Sequence, residues 1–229
     1  MNNKLFNTLA VATTIAGVVA AGSAQAATLT FTDSVSTQLT DIIDAPLSVQ
    51  QFNPSLGTLD SVEFEFSGSI TGNASVTNTS NSLARFRLSL GGDLSLIDAL
   101  DSQSLFSINP STISPQYSLA VGGTLQTPTL TATDLTSQTY TSGAFFQSFI
   151  GTGNRNFLFS ALAESGIIGS GNLTSTITTL AGGDLTVTYN YTEAPQATPE
   201  PSALLAFGLI SGFGLFSQSK KSFLKFSKS

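Results

Sequence analysis

Alternation of apolar and polar residues at period two is the feature that most limits what this chain can fold into. In 61–67 it places Val62, Phe64 and Phe66 on one face and Glu63 and Glu65 on the other. In 85–90 it places Phe86, Leu88 and Leu90 inward with Arg85 and Arg87 outward, and 184–191 alternates over its whole length. Successive side chains leave a pleated backbone on opposite sides, so a repeat of two is the repeat of a half-buried strand. Further alternating or apolar runs span 28–31, 47–52, 83–90, 117–121, 144–150, 156–162 and 173–180. Stretches at Thr71-Gly72-Asn73, Gly91-Gly92-Asp93, Gly122-Gly123 and Gly182-Gly183-Asp184 read as the turns between them. Residues 94–105 offer one or two helical turns at most. The pattern predicts an all-β domain over 27–191, an antiparallel β-sandwich of jelly-roll or Ig-like type. Eleven of the 17 Phe fall inside it and supply a core that needs neither Trp nor disulfide.

Composition narrows the chemistry. The chain has no Cys, which excludes disulfides, thiol catalysis and Cys-containing metal centres, and no His, which removes the usual proton shuttle and the nucleophile arrangements that depend on it. Three Arg against thirteen carboxylates between residues 27 and 199 make a strongly acidic domain, a poor partner for nucleic acid. Glu63 and Glu65 are the one close carboxylate pair on an expected strand. A pair flanking a glycosidic bond would be its catalytic use. The simpler reading is a solvent-facing ladder with Arg85 and Arg87 on a neighbouring strand. Asp93, Asp98 and Asp101 are loop carboxylates that would suit calcium, although no calcium-loop motif is present and no cofactor is expected. Gly151-Thr-Gly-Asn-Arg155 and Gly169-Ser-Gly-Asn172 are Gly-rich but lack a P-loop lysine, and read as turns. Sequons occur at Asn73, Asn78, Asn172 and Asn190, as chance allows in a chain where more than a quarter of residues are Ser or Thr.

The two ends differ from the middle. Lys4, an apolar run over 9–21 and the small-x-small ending Ala24-Gln-Ala26 have the parts of a secretory signal peptide. Signal peptidase is expected to cut between Ala26 and Ala27, removing a signal helix in 1–26. At the other end, Pro199-Glu200-Pro201 precedes 202–219, which carries no charge, and then Lys220, Lys221, Lys225 and Lys228. As a helix those eighteen residues extend about 27 Å, the short limit for a single transmembrane span. Lysines on the far side only would hold that end in the cytoplasm and leave the domain outside. Gly208 and Gly212 form a G-x-x-x-G, a spacing common in such helices. Residues 192–198 read as a linker.

This ending resembles the PEP-CTERM sorting signal of exported bacterial proteins, in which a Pro-Glu-Pro motif, a short span and a basic tail follow one another. The resemblance covers 198–229, and the tail here is Lys where the family is usually Arg-rich. It implies recognition by an exosortase, a membrane protease cutting near Pro199, Glu200 and Pro201 once the inner membrane has held 202–219 transiently. A second stretch, 50–78, with its Phe-x-Pro-x-Leu-Gly-Thr-Leu phrase at 52–59, is similar to the opening of the choice-of-anchor E domain, and 184–191 to its terminal strand. That resemblance implies a β domain displayed at a bacterial surface, with no catalytic residues to carry over. The expectation is an exported, non-enzymatic surface or extracellular-matrix protein with a structural or interaction role. The alternative is a carbohydrate-binding module held in exopolysaccharide. Without Trp, its aromatic platform would have to come from Tyr117, Tyr140, Tyr189 and Tyr191.

Overall fold

The computed structural model describes residues 25–195 together with the backbone of Thr13–Thr14. Its longest element, β4 (Gly57–Asn78), runs 22 residues, or about 70 Å, and buries every second side chain from Val62 to Asn78. The long β13 (Leu173–Glu193) pairs with it over its full length. β2 (Ala26–Leu39) lies on the other side of β13, and β1 (Thr13–Thr14) meets β2 at Leu29 and Thr30. On the far edge of β4 lie β10 (Leu130–Tyr140) and, in the same line, β9 (Thr124–Gln126). The second sheet is built on β5 (Ala84–Asp98). One edge of β5 carries β11 (Asn154–Ala163) and then β12 (Gly166–Ser170), with β3 (Ile42–Gln50) beyond β11. The other edge carries β6 (Ser104–Ile108), β7 (Ser111–Ile113) and β8 (Tyr117–Leu119) in file. Every named pairing is antiparallel, and the two sheets face each other as a β-sandwich.

The inward residues of both sheets form two joined clusters. The larger is aromatic, with Phe31, Phe52, Phe64, Phe66, Phe106, Phe149, Phe157, Phe159 and Tyr189. The smaller, toward the Asn78 end of β4, holds Ala74, Val76, Phe86, Leu88 and Leu119.

Three of the four stretches read as turns are strand interiors. Gly72 lies in β4, Gly91 and Gly92 in β5, and Gly182 and Gly183 in β13; only Gly122-Gly123 turns the chain. Gly92 and Gly183 are inside because the sheets touch there, while Gly182 sits at a register shift against β2. A Cβ on Gly92 would lie 2.4 Å from Ile70 Cδ1, and one on Gly183 would lie 2.6 Å from the Phe159 ring. Glycine thus marks close approach of the layers rather than chain reversal. Two other expectations change. Residues 144–150 form no strand but the single helical turn α1 (Gly143–Gln147) and its exit. Residues 94–105 hold no helix, only the end of β5, a turn and the start of β6.

Proline sets where the edge strands break. Pro110 separates β6 from β7, Pro115 separates β7 from β8, and Pro128 separates β9 from β10, each lacking the N–H a ladder needs. At two of these breaks the preceding residue repairs the ladder. Ser114 donates its N–H to the Leu88 carbonyl at 2.9 Å, and its hydroxyl accepts the Leu88 N–H at 2.8 Å. Thr127 does the same for Ala74, at 2.8 and 2.9 Å. A hydroxyl here replaces a backbone carbonyl as acceptor. Ser114→Ala and Thr127→Val are each expected to cost about 1–3 kcal/mol, because each leaves a buried N–H without a partner. Urea unfolding would show the loss, and Ser114→Thr should restore most of it.

Both open sides of the sandwich are stitched by an aspartate pointing inward from an edge strand. Asp33 of β2 accepts the N–H of Ser34 with one oxygen and that of Ser48, on β3 of the other sheet, with the second at 2.7 Å. Asp134 of β10 likewise accepts the N–H of Leu135 and, at 3.2 Å, that of Asn109 beyond β6.

Candidate functional site

Pro199, Glu200, Pro201, Lys220 and Lys221, the expected span 202–219 and Ala24 all lie outside the described residues. Ala26 and Ala27 open β2, where Ala27 stands opposite Tyr191. β13 runs to Glu193 and so takes in the first two residues of the expected linker. The Glu193 N–H donates to the Gln25 carbonyl, and the Ala194 N–H donates to Leu56, both at 2.9 Å. The two ends of the described chain therefore leave from one pole, side by side. No helix among the described residues is long and apolar enough to cross a membrane.

Glu63 and Glu65 sit exposed on the outer face of the first sheet, but not against arginine. Arg85 and Arg87 belong to β5, in the opposite sheet, opposite Ser170 and Ile168 of β12. The expected ladder does not exist, because consecutive strands here cross between sheets. Instead each glutamate stands in a row of hydroxyls four strands wide. One row is Thr139, Glu63, Thr188 and Thr30; the next is Ser137, Glu65, Thr186 and Thr32. Some of these hydroxyls bond across strands, as Thr30 and Thr188 do at 3.0 Å. The solvent-facing expectation holds in this form. The double variant Glu63→Gln/Glu65→Gln is expected to shift unfolding free energy by no more than about 0.5 kcal/mol, as solvated surface positions do, by urea titration.

The pole where the ends meet carries the densest chemistry. Arg155, second residue of β11, points inward and makes a buried ion pair with Asp98 at the end of β5. Its guanidinium lies 5.6–5.9 Å from the ring centres of Phe145, Phe149 and Phe157, a spacing at which a cation is attracted to ring faces. Asp98 also accepts the Leu100 N–H at 2.9 Å. Arg155 Nε is buried with no partner among the described residues, at a depression of about 160 Å³ lined by Ala99, Leu100, Asn154 and Asn156. Nearby, Tyr189 donates its hydroxyl to the Gln50 carbonyl at 2.7 Å. Burial pushes that phenol well above its ordinary range, while the Arg155 charge pulls the other way. This cluster locks the loop after β5 onto the aromatic core. The period-two rule carried the signal for it: Arg155 shares a face with Phe157 and Phe159, yet the residue was read as part of a turn.

The remaining candidates disperse. Asp98 is committed to Arg155, Asp101 accepts the Gln103 N–H, and Asp93 faces the Asn109 amide, so the three do not converge. Among the described residues no group of three or more His, Cys, Asp or Glu could hold a metal ion. The four tyrosines form no shared platform. Tyr189 and Tyr191 are core, Tyr140 packs on Phe145 at one end, and Tyr117 packs on Phe86 in the other cluster. Among the sequons, Asn78 is fully buried. Its amide donates to Ser82, Leu119 and Ala120 carbonyls, which makes it the organiser of the far pole.

No family model and no curated protein matches the chain. Among solved structures it is similar to that of infectious bursal disease virus Gt strain, at 12% identity and a TM-score of 0.16, over 89% of this chain and 55% of that one. For the Gx strain the values are 15% and 0.15, over 88% and 53%. The chain spans about half the length of these structures, and a likeness at so low a TM-score carries no argument.

Proposed function

We propose that this is an exported, non-catalytic bacterial surface or matrix protein, released from a signal peptide at 1–26 and processed at a PEP-CTERM signal in 199–229. The observation that carries the reading is the pairing of Ala27, the first residue left by that cut, with Tyr191 near the end of β13, which brings both ends of the sandwich to one pole. The Ala26–Ala27 cut falls at the first residues of β2, and Pro199 follows the end of β13 by six residues in sequence, so a transient membrane anchor would leave the far pole and both sheet faces free. The working part is the sandwich, and one surface it offers is the hydroxyl face around Glu63 and Glu65. The nested pairing of β2 with β13, β3 with β11 and β4 with β10 supports the jelly-roll form over the Ig-like one. Partners are signal peptidase, an exosortase-type protease and the inner membrane. Intact mass of chain recovered from the extracellular fraction is expected to lack residues 1–26 and nearly everything beyond Pro201. A tail intact to Ser229 in that fraction would overturn the reading.

A further inference from the structure

We propose that the edge of β10, open among the described residues, is a homotypic docking strand, joining two copies of this chain into one continuous sheet. The other edges are guarded. β3 contains Pro46 and a register break opposite Ala161, β6 to β8 are interrupted by Pro110 and Pro115, β12 is five residues long, and β2 slips register against β13 at Gly182. β10 runs eleven residues with no proline, no lysine or arginine and no register shift against β4. A long unbroken edge presents a row of backbone groups that another strand can take up; Asp134, the one charge on it, points inward and keeps its bond from Asn109 in such a pair.

The edge is self-complementary. The Leu135 N–H is held by the Asp134 carboxylate at 2.9 Å and so turns away from β4. By strand alternation, the N–H and C=O groups of Thr131, Thr133, Ser137 and Thr139 turn outward with it. An antiparallel copy centred on Leu135 sets Thr131 against Thr139, Thr133 against Ser137, and Leu135 against itself. All of these are hydrogen-bonded pairs, the Leu135 N–H exchanging its Asp134 acceptor for the copy's Leu135 carbonyl, and none opposes like charges; Asp134 faces Thr136. Leu135 is 63% exposed, with Thr133 and Ser137 beside it on its own strand and Ser67 opposite it on β4. The same register covers it with its own copy, which is why a second chain fits this edge better than an unrelated strand. The hydroxyl face then continues across eight strands. The two poles bearing residues 25 and 195 point in opposite directions, so the pair suits released copies rather than two held in one membrane. That last consequence alone rests on the proposed tail.

The chain contains no cysteine, which makes the test clean. Hydrogen-bonded antiparallel partners have Cα atoms about 5.5 Å apart, within the roughly 4.4–6.8 Å a disulfide spans. Full-length chain in detergent carrying Leu135→Cys is expected to form a disulfide dimer under mild oxidation. Ile168→Cys, exposed on β12, should not. Thr131→Cys and Thr139→Cys should each fail alone and cross-link when mixed. Sedimentation of the unmodified chain should show a dimer that Leu135→Lys weakens at least tenfold with circular dichroism unchanged. Cross-linking at residue 135 no faster than at 168, Thr131→Cys pairing with itself, or a dimer indifferent to Leu135→Lys would each overturn the proposal.

Discussion

Replacing Arg155 by methionine is expected to destabilise the protein by about 3–5 kcal/mol, a large share of a typical domain's stability. Methionine keeps the apolar stem but removes the charge opposite Asp98. The carboxylate would then sit buried, with the Leu100 N–H as its remaining partner. The cost is the stranded charge rather than the worth of the pair, because two desolvated ions recover little more than they lose. Asp98→Asn combined with Arg155→Met is therefore expected to regain much of the loss, since asparagine still accepts from Leu100. Urea unfolding of the two single variants and the double variant measures this directly. Additive losses would show that Arg155 acts mainly through its packing on Phe145, Phe149 and Phe157.

Truncating Phe64 is expected to cost a comparable amount, about 3–5 kcal/mol, by a different route. Its ring is fully buried and has four aromatic neighbours: Phe157 at 5.2 Å, Phe106 at 5.6 Å, and Phe145 and Phe149 at 5.9 Å. Phe64→Ala loses transfer energy, leaves a cavity between the sheets, and removes edge-to-face and stacked pairs worth roughly 0.5–1.5 kcal/mol each. Phe86→Ala is a control with the same chemistry and nearly the same burial, but among the described residues Tyr117 is its one ring partner. A smaller loss at Phe86 than at Phe64, by differential scanning calorimetry, would show that the ring cluster adds to burial. Equal losses would show that area alone decides.

Strand identity was legible where one face is dry. Val62, Phe64 and Phe66 point inward as their spacing requires, and so do Phe86, Leu88 and Leu90. β10 carried no such signal. As an edge strand it buries only Ala132 well, and its Thr-rich sequence has no apolar stripe to read. The glycines misled for a related reason. A residue without a side chain serves equally where a chain reverses and where two layers nearly touch, and local sequence does not distinguish the two. The glutamate–arginine ladder failed because strand neighbours in sequence are not neighbours in the sheet.

By itself, then, the amino-acid sequence determined the strand period, the inward set of Phe and aliphatic residues, and the absence of thiol and imidazole chemistry. These depend on each residue's own side chain and its parity along the backbone, which are local. Tertiary structure alone decided which strands became partners. It buried Arg155 against Asp98, placed Glu63 and Glu65 among threonines rather than arginines, and turned Asp33 and Asp134 into stitches across the two open sides. It also brought residues 25 and 193 together and left β10 as the open edge. Those outcomes depend on contacts between residues far apart in the chain, which a period of two leaves undetermined.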